Sequence, residues 1–294
     1  MRKMFLFLLA AVLPCLVQAE GLEYHKVYKL KDGMSADEVM RIASYNKFSL
    51  FAYDYKSTSR ILYIDKSGFT RKKEALRERI VKAGQEGISY KDLILVTYPT
   101  DTKGLAILSW TYEDPNKDQD TWLWVPSLKK VRKISASEDD DAFMGSDLTV
   151  EDVSTRFFGD ETYALVGEKK FDGYTTEETK EKKFVGSPCY VIECTPKKPH
   201  WYYAKRIVWV DKDSGGEMFE QYYDKNGKLF KIIFRNWIWF DIGKENKKYP
   251  IQDFVECKDL RTGHRTVIYI ENSQYDTGIG EQDFTVKALM RSRW

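Results

Sequence analysis

The chain has 294 residues, with 47 basic against 45 acidic side chains, 15% aromatic residues and three histidines. So even a charge balance argues against a dedicated nucleic-acid binder, which concentrates a basic excess on one face. The length supports one substantial core, built as one large β domain or two smaller ones.

The first residues read as a targeting segment. Arg2 and Lys3 give a basic start, 4–13 is almost wholly apolar, and Val17-Gln-Ala19 puts small residues at a cleavage position. This predicts a secretory signal peptide over 1–19, cut after Ala19. The apolar run is short for a membrane span, and no later stretch is long and apolar enough to make one. Cys15 suggests a lipoprotein signal, but Pro14 before it fits that pattern poorly, so lipid anchoring there is not expected. The remaining 20–294, read as a single domain, is close to neutral, because the segment removes two bases and no acid.

Ser35-Ala-Asp-Glu38 supplies a capping serine followed by acids, and Val39, Met40, Ile42 and Ala43 form an apolar stripe; a helix is predicted near 35–46. Short β-rich runs follow at 48–55 and 60–65, separated by 56–59. Residues 72–79 have strong helix propensity by composition. Strands are predicted at 90–98, 105–112, 122–125 and 131–134, with loop formers between them at 99–104 and 114–120. Trp122 and Trp124 share one face of their strand, with Leu123 and Val125 on the other. Gly145 and Ser146 permit a tight turn. Thr149 and Asp152 resemble a capping pair, so 148–158 is predicted as a short helix ended by Gly159. Further strands are predicted at 190–195, 204–211, 217–223, 229–240, 252–257 and 265–271. Many strands with few helices indicate an antiparallel sandwich or barrel.

Several strands are apolar on both faces, among them Leu93-Ile-Leu-Val96 and Val267-Ile-Tyr-Ile270. A sheet with one wet face would alternate. One face of such strands can pack on a core while the other lines a pocket. The 8 Trp, 19 Tyr and 16 Phe would suit a site for acyl chains, or simply fill a large barrel.

Three cysteines follow the signal segment: Cys189, Cys194 and Cys257. Along a strand the first two are roughly 16 Å apart, too far to bridge. A bridge from either to Cys257, or three buried thiols, remain open. His25, His200 and His264 lack metal-ligand spacing, and no cofactor is expected. Glu138-Asp-Asp-Asp141 lacks the alternating ligands and glycine of a calcium loop and reads as solvated. Gly145-Ser-Asp147 lacks the Gly-x-Ser-x-Gly frame of a hydrolase elbow.

The ordered run Trp122-Leu-Trp-Val-Pro-Ser-Leu-Lys-Lys-Val-Arg-Lys-Ile134, an acidic loop, and Phe143-Met-Gly-Ser-Asp-Leu-Thr-Val-Glu-Asp152 resembles the bacterial outer-membrane lipoprotein-sorting protein family, a branch of the superfamily that includes LolA-type carriers. Tyr202-Tyr-Ala-Lys-Arg-Ile-Val-Trp-Val-Asp211, Tyr223-Asp-Lys-Asn-Gly-Lys-Leu-Phe230 and Asp283-Phe-Thr-Val-Lys-Ala-Leu289 extend the resemblance to the C-terminus; 20–60 carries little of it. It implies a mainly β fold: a curved, incompletely closed antiparallel barrel covered by helices, with a cavity for lipid or acyl chains. It also implies a long strand over 69–83.

On that resemblance Trp110, Trp122, Trp124, Phe143 and Met144 are pocket or lid candidates. A flexible Met beside an aromatic at a loop-to-helix junction suits a lid, or a hydrophobic staple. Arg132 is a latch candidate holding Asp147 or Asp152, or else a surface charge. The expected function is a periplasmic, non-enzymatic carrier of lipoprotein acyl chains or another lipid, working with an inner-membrane transporter and an outer-membrane acceptor. The alternatives are a sensor or interaction module of the same fold and, third, a secreted enzyme on lipid or glycan.

Overall fold

The computed structural model describes residues 21–134, 140–244 and 246–290. The predicted signal peptide with Cys15, and part of the acidic loop at 138–141, lie outside the described residues.

One 13-stranded antiparallel sheet organises the chain. Strands β1 (Asp54–Ile64), β2 (Thr70–Val81), β3 (Ile88–Tyr98), β4 (Ala106–Tyr112), β5 (Asp120–Val125) and β6 (Lys130–Ile134) step outward in chain order as one wing. The other wing runs from the edge strand β7 (Glu161–Lys170) through β10 (Pro188–Pro196), β11 (Lys205–Asp211), β12 (Glu217–Tyr223), β13 (Leu229–Asp241) and β14 (Lys248–Asp259) to β15 (Arg265–Tyr275). Pairing of β1 with β15 joins the wings. A two-stranded ribbon, β8 (Tyr174–Thr175) with β9 (Lys182–Lys183), stands apart.

The mainly β class with few helices is as expected, but the sheet is open. Its edges β6 and β7 form no ladder with each other, so the sheet does not close on itself. Helical cover is also thinner than expected. Helix α1 (Ala36–Lys47) begins with the predicted capping box between Ser35 and Glu38 and buries Ala36, Val39, Met40 and Ala43 against Tyr190, Ile192, Val208 and Val210 of β10 and β11. Helix α2 (Val286–Leu289) is one turn, capped by Thr285.

The chain between β6 and β7 has to travel from one sheet edge to the other, and it does so across the inner face. Leu148 and Val153 pack there with Tyr203, Tyr222, Ile233 and Val255. The outer face has two covers. The segment containing β8 and β9 lays Phe171, Tyr174 and Phe184 over Phe234, Trp237 and Val267. The C-terminal residues Ile279, Phe284, Val286 and Leu289 cover Leu93, Leu95, Leu108 and Trp124. With both faces covered, the strands need apolar residues on each side, which explains their lack of alternation.

Residues 70–81 form a strand despite their helix-favouring composition, because β2 is paired along its length with β1 and β3. Tertiary pairing outweighs propensity there. The predicted runs 48–55 and 60–65 are displaced. Phe51 and Ala52 enter the core before the strand starts at Asp54. Residues 56–59 continue β1, with a bulge against β15 between Lys56 and Thr58. Strand β7 was not expected. The predicted helix 148–158 shrinks to one wide turn, Glu151–Thr155, ending at an extended Arg156 rather than Gly159. Among the described residues the three cysteines, Cys189, Cys194 and Cys257, are free and buried. Cys189 sits in the outer-face core, while Cys194 and Cys257 belong to two separate inner-face cores.

Candidate functional site

The inner face of the first wing lines a cavity of about 600 Å³, within the ~300–1,000 Å³ range of small-molecule sites. Alternation in β3 divides labour: Leu93 and Leu95 go outward into the core, and Asp92, Ile94 and Val96 go inward to the cavity. Leu105 and Ile107 before and in β4, and Leu123 in β5, extend this apolar wall. Opposite stand Phe157, Trp201 and Tyr203, and Lys117, Asp118, Lys197 and Lys198 add charged groups. Residues at both sheet edges, Ile134 of β6 and Gly159-Asp160 before β7, line the same space.

A second cavity of about 120 Å³ lies beside the first. Ile94, Phe143 and Met144 line both, so these side chains are the partition. Met144 has a left-handed backbone (φ 52°), which an unbranched residue adopts only at some cost. Its carbonyl accepts hydrogen bonds from Tyr63 Oη and Lys73 Nζ, both at 3.2 Å. These bonds tie the Phe143–Gly145 turn to β1 and β2.

The same crossing segment is tied to the second wing by ions. Lys231 Nζ donates to Asp152 Oδ2 at 2.6 Å, and Arg156 Nη2 to Asp152 Oδ1 at 3.0 Å. Burial raises the Asp152 pKa, but Lys231 and Arg156 outweigh it and hold the carboxyl well below its usual range. Thr149 Oγ1 accepts from Asp152 N at 3.2 Å, while Thr149 N donates to Asp152 Oδ2 at 2.9 Å, the predicted capping pair. Arg156 also donates to Glu151, and Arg206 to Glu161, Glu217 and Glu220, all buried. In the first wing the buried Asp92 takes both Arg77 (2.5 Å) and Arg79 (2.8 Å). Burial pushes the Asp92 pKa up, the two guanidiniums outweigh it, and the carboxyl settles at about 2.

The predicted site residues divide. Phe143 and Met144 line both cavities. Trp110, Trp122 and Trp124 line neither; they pack on the outer face under Phe284 and Leu289, with Trp110 Nε1 donating to the Phe284 carbonyl at 3.0 Å. The tryptophan face is therefore core, and the Leu123 face is cavity. The expected Arg132 latch is also corrected. Arg132 is exposed on the edge strand β6, whereas Asp147 exchanges hydrogen bonds with Thr266 (2.9 and 2.7 Å) and Asp152 is buried among Lys231, Arg156 and Tyr222. Burial raises the Asp147 pKa, partly opposed by the Thr266 hydroxyl. The buried cations Arg79, Arg156, Arg206, Lys231 and Arg235, and the half-buried Arg77, were missed. Their signal was present: Lys231 and Arg235 interrupt an otherwise apolar strand at even spacing.

A family model whose description reads "uncharacterized protein" matches residues 89–291. No curated protein matches the chain. Among solved structures, a DUF1329 family protein from Desulfovibrio piger is 26% identical at a TM-score of 0.71, over 87% of this chain and 99% of that one. A protein described as an outer membrane lipoprotein-sorting protein domain, from Vibrio parahaemolyticus, is 24% identical (TM-score 0.67, 81% and 92% covered). The LolA superfamily protein NE2245 from Nitrosomonas europaea is 16% identical (TM-score 0.59, 87% and 99% covered). The last two share the fold with this chain.

Proposed function

Because the chain belongs to the DUF1329-like family, with LolA-like folds as its structural neighbours, we propose that it is a periplasmic carrier. It binds acyl chains of lipoproteins, or another lipid, and passes them from an inner-membrane transporter towards an outer-membrane acceptor. The curved sheet acts as an incompletely closed barrel around that cargo, within one domain.

One observation carries this reading: the 600 Å³ inner-face cavity, with an apolar wall of Ile94, Val96, Leu105, Ile107 and Leu123 and charged groups at Lys117, Asp118, Lys197 and Lys198. Such a space suits a molecule with an apolar body and a polar end. The mechanism is partition, without bond chemistry, at about 0.8 kcal/mol per buried methylene. Phe143 and Met144 serve as a movable partition that enlarges the space for longer chains. Among the described residues no helix is long and apolar enough to cross a membrane. The test is displacement of a fluorescent fatty acid by acyl chains of rising length. Affinity that climbs with chain length and then levels supports the carrier; no binding at any length refutes it.

The edge strand β7 favours a second reading, an interaction module. It exposes Leu165 (47%) and Val166 (48%), and a free edge can accept a partner's strand.

A further inference from the structure

The smaller cavity differs in character from the larger. We propose that it is an anion subsite, in which Lys47 receives the phosphate or carboxylate head of an amphiphile whose chain lies in the main cavity. This deepens the carrier reading and rests on it.

Lys47 is the last residue of α1 and lines the smaller cavity. Its Nζ is buried with no hydrogen-bond partner among the described residues. An ammonium left so is costly unless something arrives to pair with it. The cations on the wall are Lys47, Arg77 and Arg235, facing the single carboxylate of Asp152. That carboxylate is already compensated by Lys231 and Arg156. Arg235 is engaged with Glu220, and Arg77 shares Asp92 with Arg79. Lys47 is thus the cation on this wall with capacity to spare, and two guanidiniums on one carboxylate leave positive charge nearby. The hydroxyls of Ser57 and Ser59 and the Gln252 amide also line the space and can donate to an anion.

The volume of about 120 Å³ is several times the ~10–15 Å³ that one water needs, enough for a phosphate or carboxylate group. Phe143 and Met144 alone stand with Ile94 between this space and the main cavity. Movement of the flexible Met144 would let a chain run from one to the other.

Burial pulls the Lys47 pKa down to about 7; Glu217 on β12 opposes this, and Arg156, Arg235 on β13 and Arg206 on β11 add to it. An anion beside Lys47 restores its full charge. Binding near pH 7 should therefore take up a proton.

The experiment is isothermal titration of the purified protein with dodecyl phosphate, dodecanol and inorganic phosphate, for wild type and Lys47→Met. Lys47→Met removes an unpartnered ammonium at similar volume, and a thermal melt checks its fold. The expected result is a roughly tenfold preference for dodecyl phosphate over dodecanol, shrinking to about twofold or less in Lys47→Met. Titration in two buffers of different ionisation heat should show proton uptake in wild type that is lost in the variant. Equal affinity for both amphiphiles, or a preference that survives Lys47→Met, overturns the subsite and leaves the carrier intact. Inorganic phosphate binding as tightly as dodecyl phosphate overturns the amphiphile as the source of the anion. Failure of both amphiphiles to bind overturns the carrier and the headgroup subsite together.

Discussion

Tyr63 Oη donates a 3.2 Å hydrogen bond to the Met144 carbonyl, fastening the partition between the two cavities to β1. Lys73 Nζ donates to the same oxygen from β2. Tyr63→Phe keeps the ring and removes one donor, at a cost of about 0.5–1.5 kcal/mol. The partition then opens more often. Stopped-flow release of a bound fluorescent fatty acid should be several-fold faster, with the melting temperature shifted by only a few degrees. Unchanged release would mean that the turn does not gate the cavity.

Phe143→Asp places a charge in the wall shared by both cavities. Affinity for a neutral amphiphile such as dodecanol should fall at least tenfold, read by competition with a fluorescent fatty acid, while far-ultraviolet circular dichroism stays that of a β protein.

Trp124→Ala is predicted to do the reverse. Trp124 is buried beneath the C-terminal residues on the outer face, so truncation costs about 3–5 kcal/mol. Denaturant melts should show that loss. Amphiphile affinity of the fraction that remains folded should not change.

Asp92→Asn leaves the buried Arg79 and the half-buried Arg77 without their counter-ion and should cost about 3–5 kcal/mol. The wild type carries the corresponding pH dependence. The Asp92 pKa is depressed to about 2 in the folded state, so its stabilisation is full above the unfolded value of ~3.9 and is lost as pH falls through about 2. The shift corresponds to about 2.5 kcal/mol. Stability measured from pH 5 to pH 2 should fall less steeply in Asp92→Asn.

Lys47 titrates in the same direction but in a higher window, and its charged form costs stability instead of adding it. Its folded pKa, about 7, lies below the unfolded value of ~10.4. The unfolded chain therefore binds the extra proton between these values, and stability rises with pH across that window. Lys47→Met should flatten this rise and, with no ligand present, add about 1–3 kcal/mol at pH 7. A variant less stable than wild type would contradict the unpartnered ammonium.

Much of the fold was legible because strand patterns and turn residues are local. Ser35 and Glu38 marked α1, and the apolar runs marked the central strands. Strand β2 was not legible from composition, since Lys72–Arg79 favours a helix until β1 and β3 pair with it. The site was legible in position but not in face. Alternation tells that Trp122 and Trp124 share a side, not which side is concave. That choice is made by the C-terminal segment, which covers the tryptophans from far along the chain. The ion clusters were hidden for a related reason: Arg206 meets Glu161 and Glu217 only once β7, β11 and β12 converge.

The central claim is that the inner-face cavity holds a lipid. Native mass spectrometry of the protein purified from a bacterial periplasm, with solvent extraction of bound material, tests it most directly. The account predicts a co-purifying amphiphile that is lost in a folded Phe143→Asp variant. A clean, empty protein that also ignores added lipids and acylated peptides would contradict it.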